Sequence, residues 1–322
     1  MTKLIIQVPC FNEELTLGAT LKDLPASVPG IDQVETLVID DGSTDNTIAV
    51  AREHGVNHIV ALPRHQGLAK AFMAGLEASL KAGADIIVNT DADNQYCADD
   101  IPKLVEPILK GSAEIVVGAR PIGETDHFSI TKQYLQKLGS WVVRLASRTD
   151  IPDAPSGFRA ISRKAAMQLH VFNEYTYTLE TIIQAGQKSM AIVSVPVRTN
   201  PYSRPSRLFK SVPAYLQRQV STILRIFMTY RPFRFFAIPG ILLFIAGFGI
   251  GLRFLYFYLT EGGDGKIQSL ILAALLMGSG FFLVVVGLLA DLVGVNRNLL
   301  ERLDWKVHQI EEKLENKTRG SR

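Results

Sequence analysis

Apolar residues along this chain fall into short runs that stop abruptly at polar clusters. Leu4–Val8 ends at Pro9, Thr36–Ile39 at Asp40-Asp41-Gly42, Ile86–Val88 at Asn89-Thr90-Asp91, and Ile115–Val117 at Gly118. Ile192–Val197 closes the set. Runs of this length bounded by turn residues predict strands. Between them the period changes. Leu68, Ala69, Phe72, Met73, Leu76 and Leu80 share one face of a helix predicted over Gln66–Ala82. Strands alternating with helices predict an α/β fold with a mostly parallel sheet covered on both faces. Such sheets bind ligands beyond the carboxyl ends of their strands, and the polar clusters stand there.

The pattern changes again towards the C-terminus. Phe235–Leu252 and Ile267–Ala290 carry no charge, and after Arg253 the first run resumes to Leu259. Each is long enough to cross a hydrocarbon core of about 30 Å as a helix. Arg225, Arg231 and Arg234 precede the first run, and Arg297, Arg302 and Lys306 follow the second. The connecting loop holds one lysine against Glu261 and Asp264. Positive flanks prefer the cytoplasm, so both ends of the hairpin are expected there, with Arg253 snorkelling at the outer end. Upstream, Val212, Tyr215, Leu216, Val220, Ile223, Leu224, Phe227 and Met228 recur at helical spacing, as in an amphipathic helix lying in the interface. Downstream, Leu303, Val307, Ile310 and Leu314 make a seam that fits a short coiled coil or packing on the chain's own domain.

Composition narrows the function classes. A chain of 322 residues that is 47% hydrophobic and 20% charged is neither disordered nor collagen-like. Two cysteines, Cys10 and Cys97, are too few for a disulfide framework and fit a reducing, cytoplasm-facing location. A formal net charge of +3 does not point to nucleic acid. Leu4–Val8 is too short for the core of a signal peptide and runs into Pro9.

The strand ends are acidic. No G-x-G-x-x-G follows the first strand and no G-x-x-x-x-G-K-[ST] loop occurs, which weakens dehydrogenase and ATPase readings. Asp40-Asp41 and Asp91-Ala92-Asp93-Asn94-Gln95 stand there instead. Carboxylates repel phosphate unless a cation intervenes, and Mg2+ or Mn2+ is commonly held by one or two carboxylates plus substrate phosphates. Asp91 and Asp93 can reach one ion, and the Gln95 amide can add an oxygen. Turn and cap chemistry also favours Asp and Asn at such places. The pairing of two acidic strand ends favours a metal–diphosphate site.

Three motifs in this order resemble glycosyltransferase family 2: Val8-Pro9-Cys10-Phe11-Asn12-Glu13-Glu14, Asp40-Asp41-Gly42-Ser43-Thr44-Asp45-Asn46-Thr47, and Asp91-Ala92-Asp93-Asn94-Gln95. More closely, Lys3–Lys210 is similar to the polyprenyl-phosphate glycosyltransferases. The resemblance implies a glycosyltransferase A-type, Rossmann-like domain. It implies inverting transfer of a hexose from a nucleotide-sugar to undecaprenyl or dolichyl phosphate at the cytoplasmic membrane. A UDP-sugar is favoured, with GDP-mannose as the other donor. Pro9, Asn12 and Glu13 would border the nucleotide, Asp40 and Asp41 would hold base and ribose, and Asp91, Ala92 and Asp93 would face the diphosphate. Asp91, Asp93 and Gln95 match the metal motif, with Mg2+ or Mn2+ as cofactor. Arg120, in Gly118-Ala119-Arg120, would lie near the acceptor phosphate. Arg159, in Ser156-Gly157-Phe158-Arg159, falls on the acceptor side, and Asp153 lies where relatives carry a carboxylate proposed as base.

Arg120 and Arg159 fit a phosphate clamp, because guanidinium pairs bidentately with phosphate oxygens. A phosphate acceptor is already anionic, so Asp153 is expected to position it more than to deprotonate it. Arg198–Lys210, with Arg204 and Arg207, resembles the basic segment that closes over donor phosphates and equally fits a solvated linker near anionic lipid, with Arg207 the donor-binding candidate. Gly123–Lys132, with His127, is a candidate acceptor loop. The expected organisation is a catalytic domain over 1–210 and a juxtamembrane amphipathic helix over 211–234. Two transmembrane helices follow within 235–292 (about 235–259 and 267–291), then a cytoplasmic C-terminal helix or tail over 293–322. Relatives of this type can be tetrameric, so the C-terminal seam marks a candidate homo-oligomer contact. Another lipid or polysaccharide acceptor, or a non-catalytic nucleotide-sugar-binding scaffold, are the rival readings. A processive synthase would carry Q-x-x-R-W, which this sequence lacks.

Overall fold

The computed structural model describes residues 1–121, 144, 147, 149–171, 177–200, 221, 224, 225, 228–262 and 267–319. At 261, 298, 301, 302, 304–306 and 308–319 it describes the backbone alone. The chain divides into two units, Met1–Leu216 and Gln217–Arg322.

The first unit is built on seven strands: β1 (Lys3–Cys10), β2 (Gln33–Asp40), β3 (His58–Ala61), β4 (Ile86–Asn89), β5 (Ile115–Ala119), β6 (Arg159–Ser162) and β7 (Ile192–Pro196). They form one sheet in the order β3-β2-β1-β4-β6-β5-β7. Neighbours are parallel except β6, which runs antiparallel to both β4 and β5. The apolar runs Leu4–Val8, Thr36–Ile39, Ile86–Val88, Ile115–Val117 and Ile192–Val197 thus all take part in strands. The pairings Cys10↔Asp40 and Gln7↔Asn89 bring the ends of β1, β2 and β4 to one edge.

Helices cover the sheet: α1 (Leu17–Asp23), α2 (Thr47–Glu53), α3 (Leu68–Lys81), α4 (Ile101–Leu109), α5 (Arg163–Ala166) and α6 (Thr178–Gln187). Helix α3 begins at Leu68 because Gly67, with φ +96°, turns the chain in a conformation other residues avoid. Its Ala69, Phe72, Gly75 and Leu76 are buried. One apolar cluster gathers Leu4, Ile6, Ile86, Val88, Ile101, Leu104, Val116, Phe158 and Ala160. Another gathers Val8, Leu17, Val38 and Ala51. Leu4, Ile6 and Val8 lie on the same face of β1, so the two clusters succeed one another along that face towards the end of the strand.

The second unit contains α7 (Pro232–Glu261) and α8 (Ile267–Arg319). Pro232–Thr260 and Ile267–Arg297 are long and apolar enough to cross a membrane. Their large apolar side chains are mostly turned outward, Leu242, Ile245, Phe281 and Phe282 among them, unlike a soluble core helix. The two helices run antiparallel and touch through glycines. A Cβ added to Gly280 would lie 2.5 Å from the Gly240 carbonyl oxygen, and one on Gly247 would lie 2.9 Å from the Ala273 oxygen. The C-terminal segment is not a separate helix but the continuation of α8. Leu299, Leu300, Leu303 and Val307 are exposed on it.

Candidate active site

The loops that leave β1 and β2 are laced together by their own motif residues. Asn12 adopts φ +54°, a left-handed conformation in which asparagine is one of the tolerated residues. Its backbone N–H donates to Ser43 Oγ at 2.9 Å, and its Oδ1 accepts from the Thr44 N–H at 2.8 Å. The Glu13 N–H donates to Thr47 Oγ1, and Glu14 Oε2 accepts from both the backbone and side chain of Asn46. The two motifs are therefore halves of one structure. Pro9 is buried behind it, opposite Ile39 on β2.

Asp40 and Asp41 are each 2% exposed. The Asp40 carboxylate receives the Ser43 N–H. Asp41 receives the N–H groups of Gln66 and Gly67 at 2.8 Å, and His65 Nδ1 lies 2.9 Å away. The His65 ring in turn stacks on Phe11 with centroids 3.9 Å apart. Asp41 thus ties the loop after β3 to the loop after β2, a duty its sequence position did not disclose. Gly42 is required beside it. At φ +72° an added Cβ would lie 2.5 Å from the Arg64 carbonyl carbon.

The Asp91–Gln95 segment follows β4. Asp93 Oδ1 accepts the Gln95 N–H at 3.1 Å, and Asn94 takes φ +54°. Ala92 is buried, and its carbonyl accepts from Thr20 Oγ1 on α1. Burial is the main force that pushes the Asp91 carboxyl up to about 7, helped by the charges of Asp93 and Glu13 and opposed by Arg120 and Arg159. Four of the residues singled out in the sequence, Glu13, Asp93, Arg120 and Arg159, therefore act on the Asp91 charge.

Gly157 completes this corner. A Cβ there would lie 2.8 and 3.1 Å from the two Asp91 carboxylate oxygens and 3.0 Å from Tyr177 Oη. Its N–H donates to Tyr96 Oη at 3.0 Å, and its carbonyl accepts from Asn89 Nδ2 at 2.9 Å. Asn89 also donates to Tyr177 Oη and accepts from Gln7 Nε2. Asn89, Tyr96 and Tyr177 were not among the predicted site residues. A buried amide at a strand end was the signal for Asn89, whereas Tyr177 gave none.

Asp153 is fully buried and is gripped by Arg120: Nε to Oδ2 at 2.8 Å, Nη2 to Oδ1 at 3.0 Å, and the Arg120 backbone N–H to Oδ2 at 3.2 Å. The Arg120 side chain remains 19% exposed and lies 6.0 Å from the Tyr96 ring centroid. Arg159 does not stand where a phosphate clamp would. It is 0% exposed, and its guanidinium donates to the carbonyls of Ser156 and Ala154 and to Thr181 Oγ1. Opening β6 between β4 and β5, it cannot reach the surface; it holds the 153–157 segment from beneath. Arg207, His127, Gly123–Lys132 and nearly all of 201–227 lie outside the described residues.

The donor set suits a hard divalent cation. Asp91 and Asp93 offer only oxygen, their mutual repulsion calls for a positive partner, and Gly157 leaves open the space a Cβ would fill beside Asp91. No three His, Cys, Asp or Glu among the described residues form a complete cage. An ion here would be shared with a substrate's oxygens.

Residues 5–169, just over half of the chain, match the model of glycosyl transferase family 2. A UDP-N-acetylglucosamine–dolichyl-phosphate N-acetylglucosaminyltransferase of Methanococcus voltae is 30% identical over 217 residues, covering 60% of this chain and 83% of that protein. An undecaprenyl-phosphate 4-deoxy-4-formamido-L-arabinose transferase of Photorhabdus laumondii is 25% identical over 315 residues, covering 91% and 89%. Among solved structures, glucosyl-3-phosphoglycerate synthase of Mycobacterium tuberculosis, in complex with Mn2+, UDP and glucosyl-3-phosphoglycerate, matches with a TM-score of 0.57 at 20% identity. It covers 71% of this chain and 80% of its own, a likeness of fold. With its interlocked strand-end motifs and its acidic β4 edge, the chain belongs to glycosyl transferase family 2 and is a glycosyltransferase.

Proposed function

We propose that the protein transfers a hexose, with inversion, from a nucleotide-sugar to a polyprenyl phosphate at the cytoplasmic face of a membrane. The observation that carries the acceptor class is the Asp153–Arg120 pair. A hydroxyl acceptor needs a general base within reach of its proton. Asp153, the candidate for that base, is 0% exposed and held bidentately by Arg120. A phosphate acceptor has its negative oxygen already and needs alignment. The partly exposed Arg120 guanidinium suits that task, with Asp153 fixing its direction. The relative from Photorhabdus laumondii supports the same reading. Its match takes in 91% of this chain, too much to stop before the apolar helices.

In this reading Asp91 and Asp93 receive the donor diphosphate together with Mg2+ or Mn2+, and the Gln95 amide adds an oxygen. Bound there, the cation supplies compact positive charge for the departing diphosphate. Asn12, Glu13, Asp40 and Asp41 shape the nucleotide side, with Arg207 contributing from the basic segment. A UDP-sugar is the favoured donor, since the relative from Methanococcus voltae is named for one.

The test is a donor screen on detergent-solubilised full-length chain. It supplies undecaprenyl or dolichyl phosphate and Mn2+, with UDP-glucose, UDP-N-acetylglucosamine, UDP-galactose or GDP-mannose in separate reactions. Mass spectrometry should find a prenyl-phosphate hexose with one donor, lost on chelation and reduced roughly 100-fold or more in Asp93→Ala. Nucleotide binding with no glycolipid from any donor would sink the proposal.

A further inference from the structure

The Asp91–Gln95 segment is held from two flanks. On one, α1 contributes Thr20, which donates to the Ala92 carbonyl, and Asp23, which accepts from Asn94 Nδ2 at 2.8 Å. On the other lies a three-residue strap, Arg198–Asn200, antiparallel to residues 95–97. Tyr96 and Thr199 form an isolated bridge, and the Cys97 N–H donates to the Arg198 carbonyl at 3.2 Å. The strap is anchored by Arg198, whose backbone N–H and guanidinium both bind the Asp100 carboxylate.

Asn200 is the strap residue that reaches furthest into the loop. Its backbone N–H donates to the Gln95 carbonyl at 2.8 Å. Its Nδ2 donates to the Asn94 carbonyl at 3.0 Å and lies 3.3 Å from the Tyr96 carbonyl and 3.4 Å from Asn94 Oδ1. Three successive carbonyls, 94 to 96, thus converge on one residue. They flank Asn94, whose φ of +54° is uncommon outside glycine. A turn through this conformation persists where its surroundings over-determine it. The same turn sets the spacing between Asp93 and Gln95.

We propose that Asn200 is a positioning residue for the cation–diphosphate site: by fixing the carbonyls of Asn94, Gln95 and Tyr96 it holds Asp91, Asp93 and Gln95 in the arrangement that binds a divalent ion together with a nucleoside diphosphate. The inference rests on the proposed function. It assigns a role to a residue about a hundred positions away in sequence, acting through the backbone of the loop. Removing its side-chain amide releases the carbonyls of Asn94 and Tyr96 while the backbone N–H still holds that of Gln95, and the loop relaxes around Asn94. Ion and donor then bind more weakly, while turnover of the filled site changes little.

The experiment uses the full-length chain in detergent, with Mn2+ and UDP or GDP as probes. Uptake of Mn2+ is followed by loss of the free-ion electron paramagnetic resonance signal. Asn200→Ala removes the side chain, and Asn200→Leu keeps its bulk without a donor. Both should weaken Mn2+ uptake roughly tenfold and raise KM for the donor by a similar factor. At saturating Mn2+, kcat should stay within about twofold of the wild type. A role confined to folding would lower Tm or yield and leave the Mn2+ dependence unchanged; that result, in either variant, overturns the inference. Wild-type uptake with unaltered variants overturns the inference alone. No uptake by the wild type with either nucleotide overturns the functional reading as well.

Discussion

Gly157 shows how much can hang on a missing side chain. The two oxygens of Asp91 crowd the place where a Cβ would stand, at 2.8 and 3.1 Å. The backbone on either side is pinned by Tyr96 and Asn89, so it cannot retreat without breaking buried hydrogen bonds. The carboxylate is what gives. Gly157→Ala should therefore displace Asp91 more than it disturbs the fold. Overpacking of this kind costs about 1–3 kcal/mol. The expected outcome is a loss of Mn2+-dependent donor binding by isothermal titration, with a near-native circular dichroism spectrum. Unchanged donor binding would mean that Asp91 moves freely, against the packing seen here. Gly157 was legible as part of Ser156-Gly157-Phe158-Arg159, but its reason was not. That reason lies in Asp91, sixty-six positions away.

Between elements, the strap and α4 are joined by one carboxylate. Burial alone would raise the Asp100 pKa, but hydrogen bonds from Arg198 and Lys103 outweigh it and bring it down to about 2. An ordinary aspartate in the unfolded chain titrates near 3.9. A group depressed on folding stabilises the protein above its unfolded value and loses that contribution as pH falls through its folded value. The window is thus from about pH 4 down to about 2. The Tm of the full chain should fall across it, and Asp100→Asn should flatten that fall, as differential scanning fluorimetry would read. An equally steep fall in the variant would exclude Asp100 as a source. The elements themselves were unevenly legible. Strands β1, β2, β4, β5 and β7 contain apolar runs that end at turn residues, and the sequence period shows them. Strands β3 and β6 escaped that reading, and β6 opens on the charge of Arg159, which reads as surface. Its burial is bought by three hydrogen bonds that only the folded chain supplies. Asn200 escaped for the same reason, because its partners lie 104 and 106 positions away.

At the scale of the whole molecule, two units divide the labour that the proposed reaction requires. The first presents an acidic, oxygen-rich edge, and the second offers lipid-compatible helices. The pairing of those helices depends on backbone approach at Gly240, Gly247 and Gly280. Gly280→Val should force α7 and α8 apart at a cost of about 1–3 kcal/mol. Gly278→Ala, with nothing within 4 Å of its added Cβ, should be neutral. Thermal unfolding of the two variants in the same detergent separates them; equal Tm values would refute the close approach. Helix α8 carries a further consequence, because it runs unbroken from Ile267 to Arg319. Each residue in such a helix turns the chain by about 100°. The compass bearing of Leu299, Leu303 and Val307 is therefore locked to that of the apolar stretch before them. One residue inserted after Asn298 would swing every later side chain through more than a quarter-circle, whereas seven would return them to within about 20°. Whatever the tail meets, it meets at an angle dictated by the bilayer-length segment behind it.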